Sequence, residues 1–244
     1  MFTHFSHFSA LKINTLVLFF LFSTLSIALP IDSKDYNTSN SPANVQPWTI
    51  WEKNENVSVK FREVPNTVLI EIKAQVTVTS SLSGALLFLQ DTTNITRWLE
   101  NVNYSKVIEN ISAQENISKT AFDSFWPIKN REIIVRSRYW QNEDLSVEVS
   151  IEDQSLNYRH LITEDALPIT IVFAHWKVTP HINNTITIEH VVIADPNGSI
   201  PSWITNRMAL KSMWRSMLNV TEQLPVSSFQ QQTLNTIKEL SANR

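Results

Sequence analysis

The chain has 244 residues, of which 43 % are apolar and 18 % charged, with a formal net charge of -3 at pH 7. These values suit a folded protein with one substantial core, and they exclude a disordered chain and a strongly positive surface for nucleic acid. With only two glycines and no cysteine, the chain has no glycine-rich nucleotide loop, G-x-S-x-G nucleophile elbow, disulfide or cysteine-ligated metal site.

The first predicted element is an export signal. An apolar run from Leu16 to Ile27 follows a positive residue, and Ser26-Ile27-Ala28 has the small-x-small form of a cleavage site. The run is shorter than the ~20 residues of a membrane-spanning helix. We therefore expect residues 1–28 to be a cleaved signal peptide, with a retained anchor as the alternative, and residues 29–46 to be a flexible leader. The absence of cysteine favours a bacterial periplasmic or secreted protein over one of a eukaryotic lumen, and the Asn-x-Ser/Thr sequons are attributed to composition.

The next elements are a short helix, a hairpin and two more short helices. Residues 48–53 predict the first helix, and residues 57–63 and 68–78 alternate in period two around Pro65-Asn66, which predicts a hairpin. Between Leu82 and Leu99 the apolar spacing changes to that of two short helices.

Six further strands are predicted after these helices. They cover residues 105–113, 117–125, 132–140, 145–151, 169–179 and 185–194. The connections between most of them are short and polar, which indicates an antiparallel meander.

A long helix follows the strands. In residues 195–201, Pro, Asn and Gly predict a turn, and Ser199 is the expected N-cap of a helix that runs from Pro201 to about Leu218. One stripe of this helix carries its apolar side chains: Trp203, Leu210, Met213, Trp214, Met217 and Leu218. Residues 223–244 form a tail, in which Phe229–Leu240 has the spacing of a small amphipathic helix.

This order of elements predicts an α+β helix-grip fold over residues 47–222, in which a curved antiparallel sheet wraps around the long C-terminal helix. A sheet that curves around a helix encloses a volume, and an apolar lining makes that volume a site for an apolar ligand.

Two segments carry a family resemblance. Residues 126–132, with the sequence Trp-Pro-Ile-Lys-Asn-Arg-Glu, resemble the W-P-[LIV]-x-[DN]-R-[DE] segment of START (StAR-related lipid transfer) domains. Residues 195–203 are similar to the D-P-G-G-S-I-P-x-W segment that opens the C-terminal helix of that family, with Asn197 in place of a glycine. Trp98 also stands where the family has a Trp near the end of its second helix.

The resemblance implies a START-like protein that binds one lipid or similar apolar molecule in an internal tunnel, as a carrier or sensor. It implies no catalytic residues, no cofactor and no metal. We expect an apolar small molecule as partner, transient membrane contact at most, no nucleic acid and a monomer. Transfer of apolar ligand surface out of water would drive binding.

The candidate ligand-binding residues lie on two elements. On the long helix they are Trp203, Arg207, Leu210, Trp214 and Met217, and on the strand after the first motif they are Ile133, Val135 and Tyr139. Arg207 is the preferred polar contact, with a side chain that reaches out to a surface acid as the alternative. Arg131 is expected to form a structural ion pair.

Two other functions remain open. An enzyme of the wider helix-grip group requires at least two titratable groups that meet inside the cavity. His175 and His190, on neighbouring predicted strands, are conceivable as such a pair or as metal ligands, but their spacing matches no ligand motif. An interaction module would instead have Trp203, Trp214 and Tyr139 filling the interior.

Overall fold

The computed structural model describes residues 46–124 and 128–240, which belong to one compact unit. The expected signal peptide, residues 1–28, lies outside the described residues, as do residues 29–45 of the expected leader and Trp126 and Pro127 of the first motif. Among the described helices, none has both the length and the apolar character needed to cross a bilayer.

A sheet of ten strands dominates the described chain. The strands are β1 Thr49–Lys53, β2 Val57–Glu63, β3 Ile70–Thr79, β4 Val102–Ser112, β5 Glu115–Phe122, β6 Arg131–Gln141, β7 Val147–Asp153, β8 Leu167–Pro168, β9 Thr170–His181 and β10 Thr185–Asp195. Their order across the sheet is β1-β2-β3-β10-β9-β7-β6-β5-β4, all antiparallel, and the two-residue β8 pairs in parallel with β6. The predicted meander is therefore confirmed, and β10 joins it to the first hairpin through β3.

The first hairpin follows from local sequence. β2 and β3 pair from Val57 opposite Val76 to Glu63 opposite Ile70. In the turn, Asn66 has a φ of 61°, a left-handed conformation that Asn tolerates better than most residues. The alternate residues of these strands are buried in the main core.

Two α-helices accompany the sheet within residues 46–124 and 128–240. Helix α1, Leu82–Gln90, begins at Ser81, whose hydroxyl accepts a hydrogen bond from the Gly84 amide. Helix α2, Ser202–Gln223, packs against β2 and β3. It runs five residues beyond the predicted end and stops just before Pro225, where a proline prevents continuation.

Three local predictions were wrong. Within residues 48–53, Thr49–Lys53 forms strand β1 and not a helix, because the β-branched Thr49 and Ile50 pair with Phe61 and Lys60 at the edge of β2. Ser199 does not cap α2, whose N-cap is Pro201 without a side-chain bond. The second short helix of the 82–99 segment is only a 3₁₀ turn, Ile95–Arg97.

The C-terminal tail also differs from its prediction. In the described part of the tail after α2, Ser228–Gln231 forms a 3₁₀ turn, and residues 232–240 form no helix. Tertiary bonds override the helical spacing: the Glu239 carboxylate accepts hydrogen bonds from the amides of Leu82 and Ser83 at 2.9 and 2.8 Å. The tail thereby supplies acceptors for the first orphan amides of α1.

Candidate ligand-binding cavity

A cavity of about 380 Å³ lies between the sheet and the two helices. Alternate residues of β5, β6, β9 and β10 form one wall, and residues of α1, the 3₁₀ turn and α2 form the other. Most of this wall is aliphatic or aromatic, and the volume falls at the lower end of the roughly 300–1,000 Å³ typical of ligand pockets.

Strand β6 faces the cavity with the side that the sequence predicted. Ile133, Val135, Ser137 and Tyr139 all line the wall, because successive side chains of a strand point to opposite faces. The Tyr139 hydroxyl lies 3.1 Å from the hydroxyl of Thr236 in the tail and 3.4 Å from the Ala113 carbonyl. The ring of Tyr139 therefore borders the cavity while its hydroxyl has protein partners. Contact between these residues and a ligand stays a prediction.

Helix α2 presents a different face from the predicted one. Met217 lines the cavity, but Trp203, Arg207, Leu210 and Trp214 do not. Trp203 is 70 % exposed and Arg207 is exposed. Leu210 is buried in the main core, and Trp214 packs against that core.

The cavity-facing residues of α2 include Met213 and Met217 of the predicted stripe and otherwise lie about one position before it. They are Thr205, Asn206, Ala209, Ser212, Met213, Ser216 and Met217. One residue corresponds to a rotation of about 100° around the helix axis. Leu210 and Trp214 pack in or against the main core, whereas Met213 and Met217 border the empty volume together with mostly small or polar side chains. Hydrophobicity alone therefore predicted the cavity side of α2 only in part.

The polar part of the wall is uncharged. Asn116, Ser118 and Thr120 of β5 line it, and Asn116 lies directly opposite Ser137 of β6. The Thr120 hydroxyl is 2.8 Å from that of Ser105 on β4. Within the described residues, no Asp, Glu, Lys or Arg lines the cavity.

Charges on the same strands lie on the outer face. Lys119 and Glu132 form an ion pair of 2.8 Å, with side chains only 6 and 4 % exposed. Glu132 also accepts hydrogen bonds from the amide and hydroxyl of Thr163, in the loop that covers this face. Burial alone would raise the pKa of Glu132, but the bonds from Lys119 and Thr163 outweigh burial and hold it below its usual range.

His190 is the one histidine on the described cavity wall. Its ring stacks on Trp176 at a centroid distance of 3.8 Å and an interplanar angle of 13°, because the two residues are directly opposite each other on β10 and β9. Its Nδ1 atom lies 3.1 Å from the His175 carbonyl oxygen. Burial lowers the pKa of His190 to about 4, so the ring is neutral at pH 7.

The stack of His190 on Trp176 was not predicted from the sequence, although the sequence of the β9–β10 turn indicates it. The turn at Asn183 and Asn184, both with positive φ, sets the register of the β9–β10 hairpin and thereby pairs His190 with Trp176. Trp98, which the resemblance singled out, also lines the cavity and meets Trp176 edge to face at 6.4 Å.

His175 and His190 do not form a catalytic or metal pair. The His175 ring lies on the other face of the sheet, where its Nε2 atom is 3.1 Å from a Glu148 carboxylate oxygen. No cluster of three or more metal-ligating side chains occurs among the described residues.

Arg131 joins the two sequence motifs, but not through an ion pair. Its guanidinium donates to the carbonyls of Pro196 at 2.7 Å and Asn197 at 3.1 Å, and also to that of Lys129. A Cβ at Gly198, where φ is +92°, would lie 3.3 Å from this guanidinium. The expected acidic partner is therefore replaced by turn carbonyls that fix the start of α2, and Gly198 permits the close approach.

Comparisons with known proteins agree with this architecture. No protein-family model matches the chain, and no curated protein matches it. Among solved structures, the STAR-related lipid transfer protein from Xanthomonas axonopodis is 20 % identical with a TM-score of 0.65, over 73 % of this chain and 98 % of that chain. Human StAR-related lipid transfer protein 5 is 16 % identical with a TM-score of 0.64, over 78 % of this chain and 90 % of that chain. Human STARD10 is 17 % identical with a TM-score of 0.60, over 83 and 87 % of the two chains.

The protein is therefore built on an α+β helix-grip architecture with a ligand-sized cavity. More particularly, this is the fold of START domains, as the two sequence motifs predicted. At these identities the likeness is one of fold.

Proposed function

We propose that this protein binds one lipid or similar apolar molecule in its internal cavity, as a carrier or sensor. The observation that carries the proposal is the volume of about 380 Å³ with a largely apolar wall between sheet and helices. Burial of apolar ligand surface would contribute roughly 25 cal/mol per Å². Solved structures of the same fold include proteins named for lipid transfer, which supports the same kind of ligand here.

Native mass spectrometry of the mature protein, followed by extraction of any bound lipid, tests this proposal. Ser212→Trp places a large ring on the cavity side of α2, and Lys211→Trp places the same ring on its exposed neighbour. We expect the bound fraction to fall at least tenfold in the Ser212 variant and to stay unchanged in the Lys211 variant. Equal loss in both, or no uptake from a mixed lipid panel by the unmodified protein, would contradict a cavity carrier.

The same geometry favours binding over the alternatives. An enzyme needs two titratable groups that meet in the cavity, whereas the described wall offers only His190 and Tyr139, and the Tyr139 hydroxyl is bonded to protein groups. An interaction module with a filled interior would leave no such volume. Trp203 in particular is exposed and does not fill it.

We also propose transient membrane contact at one end of the cavity. Trp203 and Val68 are 70 and 68 % exposed, and the Asn206 amide, on the cavity wall, donates to the Val68 carbonyl at 3.3 Å. Trp favours the membrane interface. Co-sedimentation with phosphatidylcholine vesicles should fall for Trp203→Ala and not for Trp140→Ala on the outer face of β6. Equal binding of the two variants would exclude this end as the contact.

Export remains a proposal supported by the apolar run and cleavage pattern of residues 1–28. Mass analysis of protein recovered from the periplasm or medium of its host tests it. A mature chain that starts after Ala28 is expected, and an intact chain held in the membrane would favour the anchor.

A further inference from the structure

The polar chemistry of the cavity indicates which apolar ligands it accepts, provided that the proposed binding function holds. The described wall contains hydroxyls, amides and one imidazole but no charged side chain. The buried Lys119–Glu132 pair lies on the opposite face of β5 and β6, and the buried Arg131 guanidinium donates to backbone carbonyls of the turn before α2. A carboxylate or phosphate that entered the cavity would therefore lose its hydration without meeting a counter-charge, which is strongly unfavourable.

His190 offers the ligand a defined acceptor. A carbonyl oxygen only accepts hydrogen bonds, so the 3.1 Å contact with the His175 carbonyl requires a proton on Nδ1 of His190. In the neutral ring, Nε2 is then an unprotonated acceptor, and it has no hydrogen-bond partner among the described residues. The stack on Trp176 holds the ring in place.

A buried acceptor without a partner is satisfied by a ligand that brings a donor. A hydroxyl group supplies one without adding charge. Asn116, Ser118 and Ser137, on the same wall, provide further neutral groups for the polar end of such a molecule. We propose that the cavity selects an uncharged amphiphile whose hydroxyl donates a hydrogen bond to Nε2 of His190, in preference to lipids that carry a carboxylate or phosphate.

Three probes built on a twelve-carbon chain separate the contributions: dodecanol, dodecyl methyl ether and dodecanoate at pH 7.5. The ether keeps the oxygen but lacks the donor, and dodecanoate adds a charge. Trp98 and Trp176 line the cavity, so tryptophan fluorescence can follow the titrations. Since one hydrogen bond contributes about 1 kcal/mol, we expect dodecanol to bind roughly fivefold more tightly than the ether, and dodecanoate to bind more weakly than either.

Two variants test whether the His190 ring causes the preference for dodecanol over the ether. His190→Phe should bring the ratio of the dodecanol affinity to the ether affinity to about one. The same substitution at His181, an exposed residue outside the cavity wall, should leave the preference intact.

The possible results distinguish this inference from the proposed function. Dodecanoate binding as tightly as dodecanol, an equal affinity of alcohol and ether, or a preference that survives His190→Phe would overturn the inference and leave apolar binding standing. If none of the three probes binds, both fail. If His190→Phe does not fold, the comparison of the three probes on the unmodified protein still tests the inference.

Discussion

The two faces of strands β5 and β6 carry different kinds of polar side chain. On the outer face, Lys119 and Glu132 are charged, buried and paired at 2.8 Å beneath a loop. On the inner face, Asn116, Ser118 and Ser137 are polar but neutral. Neighbouring residues of one strand thus lie in two environments. One is a buried ion pair, and the other is a cavity whose described wall has no charged side chain.

The difference shows how one sheet can hold a compensated buried ion pair on one face and border a largely apolar cavity on the other. A charge is tolerated in low dielectric only where partners satisfy it, and the covering loop supplies such partners outside. The inner face instead borders an empty volume of about 380 Å³ whose described wall has no charged side chain. Substitutions on the outer face should therefore change stability, and those on the inner face should change binding.

The largest effect is expected from breaking the outer pair. Glu132→Leu leaves the ammonium of Lys119 buried without its carboxylate, and loss of one partner of a buried pair typically costs about 3–5 kcal/mol. Urea unfolding followed by circular dichroism measures the change. Ligand affinity per folded molecule should stay the same, because neither residue lines the cavity.

The double variant Glu132→Leu, Lys119→Met is the control for that experiment. Removal of both charges should recover most of the lost stability. A double variant as unstable as Glu132→Leu alone would mean that packing under the loop, and not the uncompensated charge, dominates this face.

The next effect arises from the uncompensated imidazole of the inner face. The folded pKa of His190 is about 4, below its usual value of 6.5. Between these two values the unfolded chain binds a proton that the folded chain does not, so stability falls as the pH is lowered from 6.5 and levels off below 4. At pH 4 the loss from this residue amounts to about 3 kcal/mol.

Comparison with His190→Phe isolates this contribution from the carboxylates that titrate in the same range. Urea midpoints at pH 7 and 4.5 should differ more in the unmodified protein than in the variant. Parallel pH profiles of the two proteins would show that the ring of His190 is hydrated in the folded state.

A smaller effect is expected when a charge is placed on the inner face. Ser118→Asp adds a carboxylate to the wall, and Ser118→Asn adds a neutral group of the same shape. Ligand binding would remove water from a charged group only in the Asp variant. We therefore expect the affinity for dodecanol to be about tenfold lower in the Asp variant than in the Asn variant. Equal affinities in fluorescence titrations would indicate that the polar wall stays hydrated when the ligand is bound.

The fold could be predicted largely from local sequence. Period-two alternation identified the cavity side of β6 correctly, since a strand has only two faces and Arg136 and Arg138 exclude one of them. For α2, a helix offers a continuous range of directions, so an apolar stripe does not define which of its residues face a void. Leu210 and Trp214 of the stripe pack in or against the core, Met213 and Met217 border the cavity, and Trp203 is exposed.

The remaining features depend on tertiary structure. The partners of Arg131 are backbone carbonyls more than sixty residues away in the chain, which no side-chain pattern reveals. The Lys119–Glu132 pair becomes buried only because a loop around Thr163 covers it. The helix predicted for residues 48–53 was also wrong, because Thr49–Lys53 pairs with the edge of β2 as strand β1.

The smallest effect is expected from an outer-face carboxylate that the loop does not cover. Glu148 of β7 contacts His175 at 3.1 Å and Lys177 at 3.8 Å, but its side chain is 23 % exposed. Solvent-exposed ion pairs contribute about 0–1 kcal/mol, so Glu148→Gln should lower the free energy of unfolding by less than 1 kcal/mol, several times less than Glu132→Leu. The control compares Glu148→Gln with Glu132→Gln by urea unfolding, so that the chemical change is the same at both positions. If the two variants lose equal stability, burial under the loop is not what gives the Lys119–Glu132 pair its larger contribution.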